Sequence, residues 1–303
     1  MSSASAIEAA AATIERRRRN YARHYIWFVV PAAIAVLGTI LFPWAFTFYI
    51  SAFDWRLGST REFVGFANYT KLFTDERFGW ALLRTLYYTT LSVIFPLILG
   101  LAAALIFNHK FPLRGLARTI FILPMMATPV AVALVWTMMF HPQLGVLNWL
   151  LQQVGIPPSM WVYHADSVIP TLVLVEVWHW TPLVMLLLLG GLAALPIDPY
   201  EAAKIDGATP LQVFRYITLP LLAPYLVVAL IIRTIDALKA FDTIYVITQG
   251  GPGSASETIN IYLYLQAFAF YNMGYASAVV VVFFALILTL AALLMWTREK
   301  VRP

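Results

Sequence analysis

Five residues in two apolar stretches have the types and spacing that can recognise a hydroxyl-rich solute: Glu176, His179 and Trp180 in one, Arg233 and Asp236 in the other. Residues three or four apart share a helix face, so Glu176 looks the same way as His179 and Trp180, and Arg233 the same way as Asp236. An aromatic ring can cover the apolar face of a pyranose while carboxylate, imidazole and guanidinium groups bond its hydroxyls. Charged side chains are costly inside a bilayer, which also permits a second reading. In it, Glu176 and Arg233 form an intramembrane ion pair without solute contact, or Arg233 and Asp236 sit at a wet end of their span. An Arg233 neutralised by Glu176 or Asp236 would suit a neutral solute as well as an anionic one.

Other chemistries lack their residues. His24, His109, His141, His164 and His179 are scattered without metal-ligand spacing, and neither H-E-x-x-H nor G-x-S-x-G occurs. The absence of cysteine removes disulfides, thiolate metal sites and thiol nucleophiles. Without a G-x-x-x-x-G-K-[ST] run, the chain has no cassette-type ATP site, so no cofactor is expected here and energy must come from another subunit.

The elements that position these residues must be membrane spans. Of the 303 residues 61% are hydrophobic and 12% charged, against roughly 45–50% and about 25% in a soluble domain. Six runs are long enough to cross: Ile26–Ile50, Leu86–Phe107, Ile120–Phe140, Val168–Leu195, Leu221–Ile235 extended by a turn or more, and Tyr275–Trp296. Ile259–Phe270 has the length of a re-entrant or interfacial segment and is left outside that count. The expectation is an all-α membrane protein, with a six-helix domain over 26–297 between tails 1–25 and 298–303. The first run follows a polar tail, is too long for a signal-peptide core and lacks a small-residue cleavage site, so it reads as a retained span.

With the amino terminus inside, thirteen of the twenty Lys and Arg residues fall on inside segments, which places both termini in the cytoplasm. Arg56, Arg61, Lys71, Arg77 and Arg84 crowd the first outside loop and weaken the bias. The basic run Arg16–Arg19 suits anionic headgroups at the membrane surface. The net charge of +5 is that of a helical membrane protein, and no nucleic-acid partner is expected.

The inside loop Asp198–Pro220 reads as two short helices. Asp198 can cap the first, with Pro199 at the first helical position and Glu201 completing a capping box. Gly207 ends it, and Thr209, Pro210 and Gln212 repeat the same start for the second helix. Pro220 closes the segment. A helix–glycine–helix elbow is either a rigid protrusion able to transmit force or an ordinary interfacial hairpin.

Glu201-Ala202-Ala203, Gly207 four positions on, and Ile217-Thr218-Leu219-Pro220 resemble the EAA loop of permease subunits in binding-protein-dependent ATP-binding-cassette importers. The motifs Phe63–Tyr69, Arg114–Arg118 with Leu123-Pro124, Gly250–Gly253 and Asn272–Ala276 are similar to those of maltose-type carbohydrate permeases, specifically the partner with the G-G-P loop. Arg84 departs from the pattern, which usually has Asn before Thr85. The resemblance implies a type I importer permease fold in the bacterial inner membrane, with an intramembrane sugar site on the spans that carry Glu176 and Arg233. It implies coupling through Glu201, Ala202, Ala203, Asp206, Gly207, Leu219 and Pro220, with the two alanines keeping a face thin for docking and Gly207 allowing close backbone approach. The implied partners are a second homologous permease, a dimer of cytoplasmic ATPases that binds the ATP and Mg, and an extracytoplasmic binding protein met by Gly250, Gly251 and Pro252. A secondary solute transporter is the alternative, but it is expected to show paired repeats around a midplane ion site, and none is evident.

Overall fold

The computed structural model describes the backbone of residues 3–301 and the side-chain surroundings of residues 27–296. The side chains of Arg16–Arg19, Arg298, Lys300 and Arg302, which entered the orientation argument, lie outside the described residues.

Among the described residues the regular elements are helices, apart from one two-residue antiparallel pair, β1 (Phe53–Asp54) with β2 (Glu62–Phe63), and an isolated bridge between Arg56 and Asn272. The helices are α1 (Ser3–Ser51), α2 (Ala67–Thr74), α3 (Glu76–Asn108), α4 (Arg114–Met126), α5 (Pro129–Met139), α6 (Val146–Gln153), α7 (Ala165–Ala193), α8 (Asp198–Ile205), α9 (Pro210–Val213), α10 (Leu219–Leu238), α11 (Asp242–Thr248), α12 (Ile259–Tyr264) and α13 (Met273–Val301). Among the described residues, five helices are long and apolar enough to span: residues 27–51 of α1, then α3, α7, residues 210–238, and residues 273–296 of α13. A sixth span exists only if α4 and α5 are taken together, and these are bent by 96° at Ala127–Thr128. The continuous third span expected over Ile120–Phe140 is therefore broken. Ala127 and Thr128 are both extended, and Pro129, which lacks an N–H and disfavours helix in the residue before it, starts the new direction.

One of three buried clusters lies where α3, α7 and α10 meet, and α3 and α7 make the largest helix contact. Small residues let them approach: a Cβ added at Gly100 would stand 2.6 Å from Val184 Cγ1, and Ala103 and Ala104 are buried beside it. In lipid, where no hydrophobic force draws helices together, such close backbone contact is a main source of packing energy. α1 packs mainly on α13, and within its spanning segment only Ile50 and Ser51 at the end are buried within the chain.

At the end of α3 away from α8 and α9, Asp75 caps the helix by accepting from the N–H groups of Arg77 and Phe78. Its other oxygen accepts from Tyr262 Oη at 2.6 Å and Tyr275 Oη at 2.9 Å, tying α12 and α13 to α3. Partial burial pushes the Asp75 carboxyl upward, but the hydrogen bonds from Tyr262, Tyr275 and the two amides together outweigh it and hold the group below its ordinary value.

Candidate functional site

Glu176 lies within the central third of α7 and Arg233 toward the far end of α10. Their side chains meet at 2.8 Å, Glu176 Oε1 accepting from Arg233 Nη2, and both are almost fully buried. Arg233 Nη2 also donates to the Ser92 carbonyl of α3 at 3.3 Å, so the guanidinium joins all three core helices. Its Cζ lies 5.1 Å from the centre of the Trp180 ring. Among the described residues the buried hydroxyl of Thr89 on α3 has no hydrogen-bond partner, nor do Arg233 Nε and Nη1, and the buried hydroxyls of Tyr88 and Ser92 lie next to each other near Glu176. A polar patch thus lies within the apolar bundle, on one face of α3.

A small cavity of about 100 Å³ opens beside this pair. Glu176 and Trp180 form one wall, Asp236 of α10 and Lys239 just past its end a second, and Phe241 and Asp242 at the start of α11 a third, with Pro129 of α5 at the edge. Asp236 bonds Lys239 at 3.3 Å, and both are partly exposed. Of the five residues singled out from the sequence, Glu176, Trp180 and Asp236 line this cavity, and Arg233 lies behind it, bonded to Glu176. His179 does not line the cavity. It is buried, and its Nε2 lies 3.2 Å from the Ala127 carbonyl at the α4–α5 bend. Lys239, Phe241 and Asp242 were missed by sequence reasoning. The continuation of the Arg233–Asp236 spacing to Lys239, three residues on, was the signal that could have found the lysine.

The second site is the elbow of α8 and α9. Gly207 has φ +70°, the left-handed region, and the amides of Gly207 and Ala208 bond back to the carbonyls of Lys204 and Ala203, closing α8 in a paired C-terminal turn. Thr209 and Gln212 form the reciprocal capping box expected for α9. Asp198 departs from expectation: Ile197 holds the cap position without a side-chain bond, and Asp198 sits in the first turn, where with Glu201 it can favour the positive end of the helix dipole. Pro220 likewise does not close the segment. Residues 210–238 run on through a wide π turn at Phe214–Thr218, and Pro220 lies in the first turn of α10. The widened turn absorbs the proline's missing N–H and bulk. Ala203 is buried and Ala202 exposed, so only Ala202 shows a thin outer face beside Glu201 and Asp206.

In the G-G-P loop the Ser256 side chain donates to the Gly251 carbonyl at 2.7 Å, and Gly250 (φ +92°) is buried. Glu257, which follows it, is buried and pairs with Arg77 of α3 through two bonds of 2.8 Å. Pro252 and Gly253 form the accessible tip.

Residues 96–302 match the family of binding-protein-dependent transport system inner membrane components. The chain belongs to this family. Among curated relatives it is 40% identical over 265 residues to a trehalose/maltose transport system permease protein, MalF, of Thermococcus litoralis, covering 86% of this chain and 88% of that one. It is 37% identical over 270 residues to a sulfoquinovosyl glycerol transport system permease protein, SmoG, of Agrobacterium fabrum, covering 88% and 87%. A probable ABC transporter permease of Sinorhizobium fredii is 36% identical over 290 residues, covering 94% and 93%. In fold the chain is similar to a subunit of a bacterial ABC transporter that imports alginate, with TM-score 0.82 and 22% identity over 95% of this chain and all of the other. The chain is thus a multi-pass permease subunit of an ABC importer with the type I fold.

Proposed function

We propose that this chain forms half of the membrane path for a sugar, glycoside or related solute, with a second, different permease of the same fold supplying the other half. The observation that carries the reading is the cavity lined by Glu176, Trp180 and Asp236, in which an aromatic face stands beside carboxylates and Arg233 is held behind the wall by its bond to Glu176. The trehalose/maltose and sulfoquinovosyl glycerol relatives support a sugar-like cargo. Because Glu176 already neutralises Arg233, no unpaired positive charge is reserved for an anion, and the geometry favours a neutral, hydroxyl-rich solute. Cytoplasmic ATPases dock on the α8–α9 elbow through Glu201, Ala202, Asp206 and Gly207, with Ala203, Leu219 and Pro220 as its support. An extracytoplasmic binding protein delivers the solute to the face that carries Gly250, Gly251 and Pro252. Both termini lie in the cytoplasm.

The test is co-expression of the tagged chain with its neighbouring transport genes, followed by a ligand screen on the cognate binding protein. A second permease and an ATPase should co-purify, and the binding protein should take neutral sugars. Replacement of both Arg233 and Glu176 with Gln, which leaves no unpaired buried charge, should then weaken transport while the complex still assembles. Failure to assemble would make Arg233 a structural ion-pair partner and remove its solute role.

A further inference from the structure

His179 was expected among the solute-contacting groups, yet it turns from the cavity to the break in the third span. The break explains why a histidine is needed. In a continuous helix the Ala127 carbonyl would accept from the amide of Ala131. Here the Thr128 hydroxyl takes that amide, at 3.4 Å, as the cap of α5. The Ala127 carbonyl has thereby lost its helical donor within a membrane span, where an unpaired backbone group is costly. His179 Nε2, at 3.2 Å and fully buried, is the group that reaches it. Ala127 accepts, so Nε2 must carry the proton, which fixes the tautomer of the ring.

We propose that His179 is a positioning residue that pins the α4–α5 elbow to α7 and so sets the wall of the solute cavity. The consequence for the cavity follows from connectivity. Pro129, two residues past the pinned carbonyl, is at the cavity edge, and α5 packs on α11, whose first residues Asp242 and Thr243 also line it. Glu176 and Trp180 sit on the same stretch of α7 as His179, so one short segment carries both the polar wall and the anchor of the wall across from it. The elbow is thus tied directly to the pathway.

This inference rests on the reading of the cavity as part of that pathway, and the experiment separates the two. The chain has no cysteine, so Val130→Cys, at an exposed position of the first turn of α5, reports on the elbow alone through its labelling rate with a small water-soluble thiol reagent. The assembled transporter in vesicles is compared as His179→Gln, whose amide nitrogen can donate as Nε2 does, and as His179→Leu, which cannot. His179→Leu should change Val130→Cys labelling several-fold and lower solute transport at unchanged affinity for the binding protein, and His179→Gln should restore both. If His179→Leu does not assemble, His179→Asn, whose shorter amide falls short of Ala127, takes its place. Labelling that is the same in all variants, or a Gln variant no better than Leu, would overturn the proposal. A released elbow with transport intact would instead overturn the pathway reading and, with it, the positioning role.

Discussion

Arg233 and Glu176 are worth more as a pair than either is alone. Each is buried away from water, and removal of one leaves the other as an uncompensated charge, a loss of about 3–5 kcal/mol in comparable buried pairs. Glu176→Leu should therefore reduce folded yield and thermal stability sharply, whereas the double replacement Glu176→Leu with Arg233→Met should recover much of the stability but not transport. Thermal unfolding of the purified complex beside an uptake assay reads both effects. The sequence made the partnership visible as one of two options, because charged residues in apolar runs are rare enough to name. It could not choose between them, since the choice depends on which faces of α7 and α10 meet. Gly207 is a different case, legible from local grammar alone. A Cβ there would meet nothing within 4 Å, so the cost of Gly207→Val is the left-handed backbone itself, roughly 1–2 kcal/mol. Asn, which tolerates that region, should be milder. The measurement is ATP hydrolysis stimulated by loaded binding protein: it should fall with transport in the Val variant and largely persist in the Asn variant, with solute affinity of the binding protein unchanged in both.

Helices are held here by close approach and by clamps at their ends. Gly100 of α3 faces Val184 of α7 at a distance that leaves no room for a side chain, so Gly100→Leu should part the largest helix contact of the bundle. A lower unfolding temperature and poorer assembly in detergent are expected, while Gly115→Ala, where an added Cβ would meet nothing, should change neither. The Asp75 clamp makes a pH prediction with a defined sign. Its carboxyl is held below 3.8, so its stabilisation is complete above that value and is lost as pH falls through the lowered one. Asp75→Asn should be less stable than the parent at neutral pH, and the difference should close on acidification below about pH 4. Element by element, the second start at Thr209 was readable because a capping box is contained in four residues. The break at Ala127 was not read, although Pro124 and Pro129 flank it, because total hydropathy over a window is blind to direction. The clamp joins residues some 200 positions apart, which periodicity does not connect.

At the scale of the whole molecule, large apolar surfaces stay uncovered by the chain itself. Its α1 span is left almost wholly uncovered by the chain, its small cavity lies at one edge of the core, and Ala202 with Gly207 presents a thin exposed face at the elbow. The membrane class and the family were legible from apolar run lengths and from the spacing between Glu201 and Pro220, whereas the break in the third span and the surfaces the chain leaves uncovered appear only once the bundle is assembled. A reporter active only outside the cytoplasm, fused to the carboxyl terminus, should stay silent if both ends are inside. The most direct test is reconstitution of this chain with its partner permease and ATPase in sealed vesicles, with solute-loaded binding protein on the outside face. Uptake should require ATP and the loaded binding protein, and the binding protein should raise the rate of ATP hydrolysis. Uptake by this chain without the ATPase, driven by an ion gradient, would contradict the importer reading and favour a secondary transporter.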